Sequence, residues 1–118
     1  MIKIVRFVKR RKDLTLEEFK DYWLTKHSEL EQMIVEKTTV RKIVASFSTG
    51  EMIGGKEPPF DGMVEIYFDN EEDRQAFYAC DIHKKGIMRE DEKNFVDHSE
   101  EPVRIVTEEH VIAEKPRG

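Results

Sequence analysis

The sequence predicts an α+β domain in which one four-stranded antiparallel sheet carries its helices on a single face. Strand-type and helix-type patterns follow one another in the order β-α-β-β-α-(α)-β along the 118 residues. The first helical segment has apolar residues at steps of three and four, whereas the third strand segment, 60–68, alternates apolar with mixed side chains. A chain of this length is expected to form one domain.

The elements follow from local signals along the chain. Residues 2–8 are rich in β-branched and aromatic side chains, which favour a strand. Thr15 and Glu18 have the spacing of a capping box, so a helix is predicted from there to about Val35 or Glu36. The later elements are a strand at 40–47, a Gly- and Pro-rich loop and candidate lid at 49–59, a strand at 60–68, a helix from Asn70 to near Cys80, a helical piece at about 84–95, and a strand at 103–112.

This order is the split βαβ, ferredoxin-like arrangement, βαββαβ. Residues 1–113 are predicted to form the domain, and 114–118 a loose C-terminal tail. In the first strand, Ile2, Ile4 and Val8 point to one face and Val5 and Phe7 to the other, so both faces are apolar. Because two short helices cover only one face, we expect a second copy to pack sheet against sheet as a homodimer.

Composition and motifs exclude several classes of function. The formal charge is −5 with acids and bases interspersed, so there is no basic footprint for nucleic acid. Apolar runs are too short to span a membrane, and the single Cys80 excludes an internal disulfide, so we expect a cytoplasmic protein. The four histidines lack zinc-ligand spacing, and nucleotide-binding glycine motifs and a GxSxG elbow are absent. Neither a metal nor a cofactor is therefore expected.

A histidine lies within the apolar stripe of the first helix. The stripe consists of Leu16, Phe19, Trp23, His27, Leu30 and Ile34. Imidazole exchanges a proton near neutral pH, so His27 is the leading candidate for a general acid/base. The alternative is a buried histidine that only hydrogen-bonds to a neighbour and holds the helix to the sheet.

Four segments resemble the EthD family of dimeric α+β barrel proteins. They are LEEFKDYWLTKH at 16–27, FDGMVEIYF at 60–68, DEKNFVD at 91–97 and VTEEHVI at 106–112, in the family's order. The resemblance implies two protomers whose sheets pack into a barrel, each with its own pocket between sheet and helices. Relatives with this fold look like cofactor-free cyclases, isomerases, dehydratases and monooxygenases. Unlike the haem-degrading relatives, this chain has no asparagine in its first strand, and haem is not expected as a ligand.

Two carboxylates are candidates for orienting His27 in a His–Asp relay. Asp61 heads the third strand, where the alternative is ordinary Asp-Gly turn chemistry. Asp97 follows the last helical turn, where the alternative is a local bond to the backbone. Candidates for contact with a flat substrate are Phe19, Tyr22, Trp23 and Tyr67, and Tyr67 is also a candidate for the dimer contact.

These observations, with the resemblance, lead to two functional hypotheses. The first is a small cofactor-independent enzyme of the cyclase, isomerase or dehydratase type, or a monooxygenase-like one, acting on a hydrophobic carbonyl or phenolic compound. His27 would transfer the proton, since such reactions need only proton shuttling and a shaped pocket. The alternative is a non-catalytic accessory or small-molecule-binding protein that serves a separate oxidoreductase or degradation system. A dimeric module with a vestigial pocket is a third possibility.

Overall fold

The chain folds around a single sheet with helices on one side. A computed structural model describes residues 1–99 and 101–117. Within these ranges the strands are β1 (Ile2–Val8), β2 (Lys42–Phe47), β3 (Gly62–Phe68) and β4 (Val103–Glu108). Their spatial order is β2-β3-β1-β4, and all neighbouring strands are antiparallel. The predicted βαββαβ, ferredoxin-like arrangement is confirmed.

The first helical region is a continuous rod with a wider turn in its middle. It consists of α1 (Leu16–Tyr22), a π-helical segment (Trp23–His27) and α2 (Ser28–Lys37). The predicted capping box is present, because Thr15 accepts a hydrogen bond from the Glu18 backbone while the Glu18 carboxylate accepts one from the Thr15 backbone.

The second helical region lies between β3 and β4 and consists of short helices. They are α3 (Glu71–Ala79), α4 (Asp81–Lys84) and α5 (Ile87–Glu92). Asn70 caps α3 by accepting from the Asp73 backbone at 2.8 Å. The single helical piece predicted at about 84–95 is replaced by two helices, since Gly86 takes a left-handed conformation (φ +68°) between them.

The core lies between the sheet and the helices. Two clusters of buried side chains fill it: Val8, Phe19, Trp23, Val64, Phe95 and Val96 in one, and Ile4, Ile34, Val40, Phe68 and Phe77 in the other. Even-numbered residues of β1 and β3 therefore face the helices, as the alternation along β3 predicted. At Gly62 an added Cβ would lie 3.3 Å from the rings of Phe19 and Trp23, so the absence of a side chain there lets α1 approach β3.

The end of the chain differs from the prediction. The last strand stops at Glu108 rather than Ile112, because Glu108 pairs with Ile2, the first residue of β1, and Met1 alone precedes it, accepting a hydrogen bond from the Glu109 backbone at 2.9 Å. Val111 and Ile112 are exposed, at 72% and 91%. Of the predicted tail, Gly118 lies outside the described residues.

Candidate active site

A cavity of about 550 Å³ lies between the helix-facing side of the sheet and the helices. Its apolar wall includes Val8, Val64 and Ile66 from the sheet and Trp23 and Phe95 from the helical side. At the edge beside β4 it reaches Glu101, Pro102 and Arg104, all of them exposed. A space of this size and lining suits a small hydrophobic molecule. The loop at 49–59, a predicted candidate lid, contributes no residue to its lining.

His27 lines this cavity and is held by one carboxylate. Its side chain is only 3% exposed, and its Nδ1 lies 2.8 Å from Oδ2 of Asp91 on α5. The imidazole ring packs on Phe95, with ring centres 4.8 Å apart, and meets Trp23 edge to face. A carboxylate only accepts hydrogen bonds, so Nδ1 carries the proton and Nε2 is the nitrogen left for a ligand.

Asp91 is itself positioned by a small hydrogen-bond network. Its Oδ1 accepts from the Tyr22 hydroxyl at 2.8 Å and from the Asn94 amide at 3.3 Å. Burial raises the pKa of Asp91, but the bonds from His27 and Tyr22 outweigh burial and bring the pKa below its usual value. Asp91 is therefore ionised at neutral pH and fixes both the tautomer and the orientation of His27.

Glu31 is a second carboxyl group near His27 and, unlike Asp91, lines the cavity. It lies one helical turn beyond His27 and accepts a hydrogen bond from the Trp23 indole at 2.8 Å. Burial raises the pKa of Glu31 against the opposing effects of His27 and the Trp23 bond. His27 therefore has two carboxyl groups near it: Asp91, whose pKa is lowered, and Glu31, whose pKa is raised. Such separation of pKa values is typical of acid/base sites.

Arg6 and Glu92 form a buried ion pair beside the histidine. Two guanidinium nitrogens of Arg6 donate to the two Glu92 oxygens at 2.8 and 3.0 Å, and His98 lies 3.4 Å from the same carboxylate. Burial raises the pKa of Glu92, but the bonds from Arg6 outweigh it, so the pKa lies below its usual value. Among the described residues, Arg6 Nε is buried without a hydrogen-bond partner. This pair joins β1 to α5 and thereby supports the helix that carries Asp91.

The structure does not bring the two predicted orienting carboxylates to His27. Asp61 binds the backbone and guanidinium of Arg10 at 2.8 and 2.7 Å, and Asp97 accepts from the Ser99 backbone at 2.8 Å. Both lie beyond the end of β1, because their backbone nitrogens bond to the carbonyls of Val8 and Lys9. The predicted His–Asp contact is therefore corrected, with Asp91 as the partner.

The predicted aromatic residues occupy different positions. Trp23 lines the cavity, Phe19 is fully buried in the core, and Tyr22 supports Asp91. Tyr67 lies on the opposite face of the sheet, where Lys3 and Lys42 contact its ring, so it is not a cavity residue.

The sequence interpretation missed Asp91, Glu31, Glu92 and Arg6. A signal existed for two of them: Asp91 opens one of the segments that carry the family resemblance, and Arg6 is the charged residue among the helix-facing positions of the first strand. Within the described parts of the chain, no group of three or more His, Cys, Asp or Glu side chains is placed to hold a metal ion. No helix there is long and apolar enough to cross a membrane.

The protein has a four-stranded antiparallel sheet with helices packed on one face and a cavity between sheet and helices. This architecture places it in the class of ferredoxin-like α+β proteins. The chain matches the EthD domain family over residues 11–99 and belongs to that family.

Solved structures show the same fold. An EthD family protein from Bacillus halodurans C-125 superposes with a TM-score of 0.68 at 21% identity, covering 93% of this chain and 99% of its own. An EthD-like protein from Ralstonia eutropha JMP134 gives 0.67 at 18% identity, with 97% and 94% covered. A dimeric protein of unknown function and ferredoxin-like fold from Bacteroides fragilis gives 0.58 at 18% identity, with 91% and 94% covered. No curated protein matches the chain.

Proposed function

We propose that this protein is a small cofactor-independent enzyme that transfers a proton on a hydrophobic carbonyl or phenolic compound. One observation carries the proposal: His27 is buried on the wall of the cavity while Asp91 binds its Nδ1 at 2.8 Å, which leaves Nε2 for the substrate. General acid/base catalysis requires a histidine that is held in this way, with one ring nitrogen within reach of the substrate.

In the proposed mechanism, His27 Nε2 removes a proton from the carbon beside a carbonyl group or from a phenol. The bonding electrons move to the carbonyl oxygen of the carbon acid, or stay on the oxygen of the phenol, and Asp91 stabilises the imidazolium ion. Glu31 lines the same cavity and burial favours its protonated form, and in that form it would donate a hydrogen bond to the developing oxyanion. In an isomerisation Nε2 then returns the proton to another carbon. In a cyclisation the enolate carbon forms a carbon–carbon bond to a second carbonyl group of the substrate, and Nε2 gives the proton to the oxygen of that group. In a dehydration Nε2 gives the proton to a hydroxyl group, which leaves as water when its bond to carbon breaks. Trp23 and Phe95 keep water away from the reacting atoms.

A homodimer formed through the sheet is part of this proposal. The face of the sheet opposite the helices carries Val103 and Ile105 of β4, which are 46% and 53% exposed, beside Val5 and Phe7 of β1. An apolar sheet face of this kind requires a cover. Two solved neighbours are described as dimeric, which supports a second copy as the cover.

The experiment that tests the function is deuterium exchange from heavy water into bicyclic ketones such as 2-tetralone, followed by NMR. We expect the protein to accelerate exchange at the carbon beside the carbonyl, and His27→Gln to abolish this acceleration. Fluorescence of Trp23, the single tryptophan, reports binding separately in both proteins. Binding without accelerated exchange in the wild-type protein would contradict the enzyme and favour the non-catalytic accessory protein instead.

A further inference from the structure

We propose that the molecule bound in this cavity is a hydrophobic ring compound that carries a carboxylate group, and that the carboxylate is held at the edge of the cavity by Arg104, Arg89 and Lys84. This inference rests on the proposed function, since it concerns the same cavity, and it adds the substrate class. The apolar wall accommodates the ring, and the cations accommodate the acid group.

The charges that line the cavity do not balance. They belong to the cations Arg6, Lys84, Arg89 and Arg104 and to the acids Glu31, Glu92 and Glu101. Arg6 and Glu92 neutralise each other in their bidentate pair, and burial raises the pKa of Glu31, which favours its uncharged form. The three remaining cations outnumber Glu31 and Glu101 even when both of these carboxyl groups are ionised. The excess is positive although the whole chain carries a formal charge of −5.

The three cations come from β4 and from the helices that face the sheet across the cavity. Arg104 lies opposite Arg6 in the register of β4 and β1, and therefore on the helix-facing side of the sheet. Lys84 ends α4, and Arg89 lies on α5, across the cavity from the sheet. All three side chains belong to exposed residues, and none forms an ion pair with an acid in the part of the chain that the structure describes.

The surroundings of Arg104 show that its charge reaches the cavity. Burial and the charge of Arg104 together lower the pKa of His83, which also lines the cavity. His83 is therefore kept neutral and does not compete with the guanidinium groups for an anion. An arginine fork matches the two oxygens of a carboxylate, and exposed cations without a protein partner are available for that contact.

The test compares 2-naphthoate with 2-naphthamide, which has the same ring and a similar shape but no charge, by isothermal titration calorimetry on the full chain. We expect the acid to bind roughly tenfold or more tightly than the amide, because a hydrogen bond to a charged group is stronger than one between neutral groups. In Arg104→Gln and Arg89→Gln this preference should shrink while the affinity for the amide stays unchanged. Arg41→Gln, an exposed arginine that does not line the cavity, is the matched control and should keep the preference.

Each outcome decides the inference separately from the proposed function. Equal binding of 2-naphthoate and 2-naphthamide overturns the proposal that the ligand carries a carboxylate, although the cavity remains a binding site. Tighter binding of 2-naphthyl phosphate than of 2-naphthoate also overturns it and indicates a phosphate group instead. Selective binding of the acid without proton exchange on any ligand supports this inference and overturns the enzyme. No binding of any of the three compounds overturns both.

Discussion

Nδ1 of His27 lies 2.8 Å from Oδ2 of Asp91, across 64 residues of sequence. The contact joins the π-helical segment of the first helical region to α5, the last helix before β4. Tyr22 donates to the other oxygen of Asp91, so the carboxylate is bound at both oxygens. Asp91 thus fixes the orientation of His27, a residue of the cavity wall.

Replacement of Asp91 tests this relationship directly. In Asp91→Asn the amide no longer stabilises an imidazolium ion and permits the wrong tautomer, so we expect proton exchange to fall by about 100-fold or more. Binding of 2-tetralone, measured by Trp23 fluorescence, should change little. The rate of deuterium exchange at saturating ketone is the measurement.

Two other aspartates serve as comparisons for Asp91→Asn. Asp69→Asn changes an exposed carboxylate near Arg41 and should leave the rate unchanged. Asp61→Asn removes the partner of Arg10 and should lower stability rather than the exchange rate. A larger loss of exchange in Asp61→Asn than in Asp91→Asn would favour the sequence-based assignment over the structural one.

Glu31 predicts an unusual pH dependence of stability. Burial raises its pKa in the folded state above the unfolded value of 4.5, so its contribution to stability is present below that value and is lost as pH rises through the folded pKa. Glu31→Gln keeps an oxygen acceptor for the Trp23 indole but cannot ionise. We therefore expect the variant to gain stability relative to the wild-type protein as pH increases.

Urea unfolding at pH 4, 6 and 8, followed by Trp23 fluorescence, measures this difference. Glu36→Gln, an exposed position at the end of α2, is the matched control and should follow the wild-type curve. If the free-energy difference between Glu31→Gln and wild type is the same at all three pH values, Glu31 titrates as a solvent-exposed carboxyl and is not a proton donor in the cavity.

The fold could be predicted from the sequence because its signals are local. The capping box at Thr15 and the alternation along β3 depend only on neighbouring residues, and both are observed. The stripe of the first helix was also largely right, with Phe19, Trp23 and His27 buried. What the periodicity missed is the wider π turn, which keeps steps of four residues on one face and brings Glu31 to the cavity.

The partner of His27 could not be predicted in the same way. Three aspartates, at positions 61, 91 and 97, are all distant in sequence, and the choice depends on where α5 crosses the first helical region. That crossing is determined by Gly86, whose left-handed backbone starts α5, and by the Arg6–Glu92 pair that binds α5 to β1. These are tertiary relationships, which no spacing along the chain records.

The Arg6–Glu92 pair predicts a strong effect of single replacements. Glu92→Ala leaves the guanidinium of Arg6 without its partner in a largely buried position, so we expect a loss of about 3 kcal/mol or more in the free energy of unfolding. The double replacement Arg6→Met with Glu92→Leu removes both charges and should recover most of this loss. Urea unfolding of Arg6→Met, Glu92→Leu and the double variant gives the coupling energy, and additive losses would show that the two side chains do not depend on each other.

Because the bonds from Arg6 keep the pKa of Glu92 below its unfolded value, the pair also contributes to acid resistance. Its stabilisation is present above the unfolded pKa of 4.5 and is lost as pH falls through the folded pKa. The double variant should therefore lose less stability than the wild-type protein between pH 6 and pH 3. Thermal unfolding of both proteins across this pH range measures the difference. A steeper loss of stability at low pH in the double variant would contradict the lowered pKa of Glu92.

If the proposed dimer forms through the face of the sheet opposite the helices, a charged residue introduced on that face should dissociate it. Ile105 pairs with Val5 across β1 and β4 and lies on the face opposite the helices, so Ile105→Glu places a charge in the centre of the proposed contact. We expect this variant to elute as a monomer in size-exclusion chromatography with light scattering, whereas the wild-type protein elutes as a dimer.

Ile53→Glu, at a more exposed isoleucine in the loop between β2 and β3, is the matched control and should remain dimeric. A dimeric Ile105→Glu would move the contact to another surface, and a monomeric wild-type protein would show that the apolar sheet face needs no second copy.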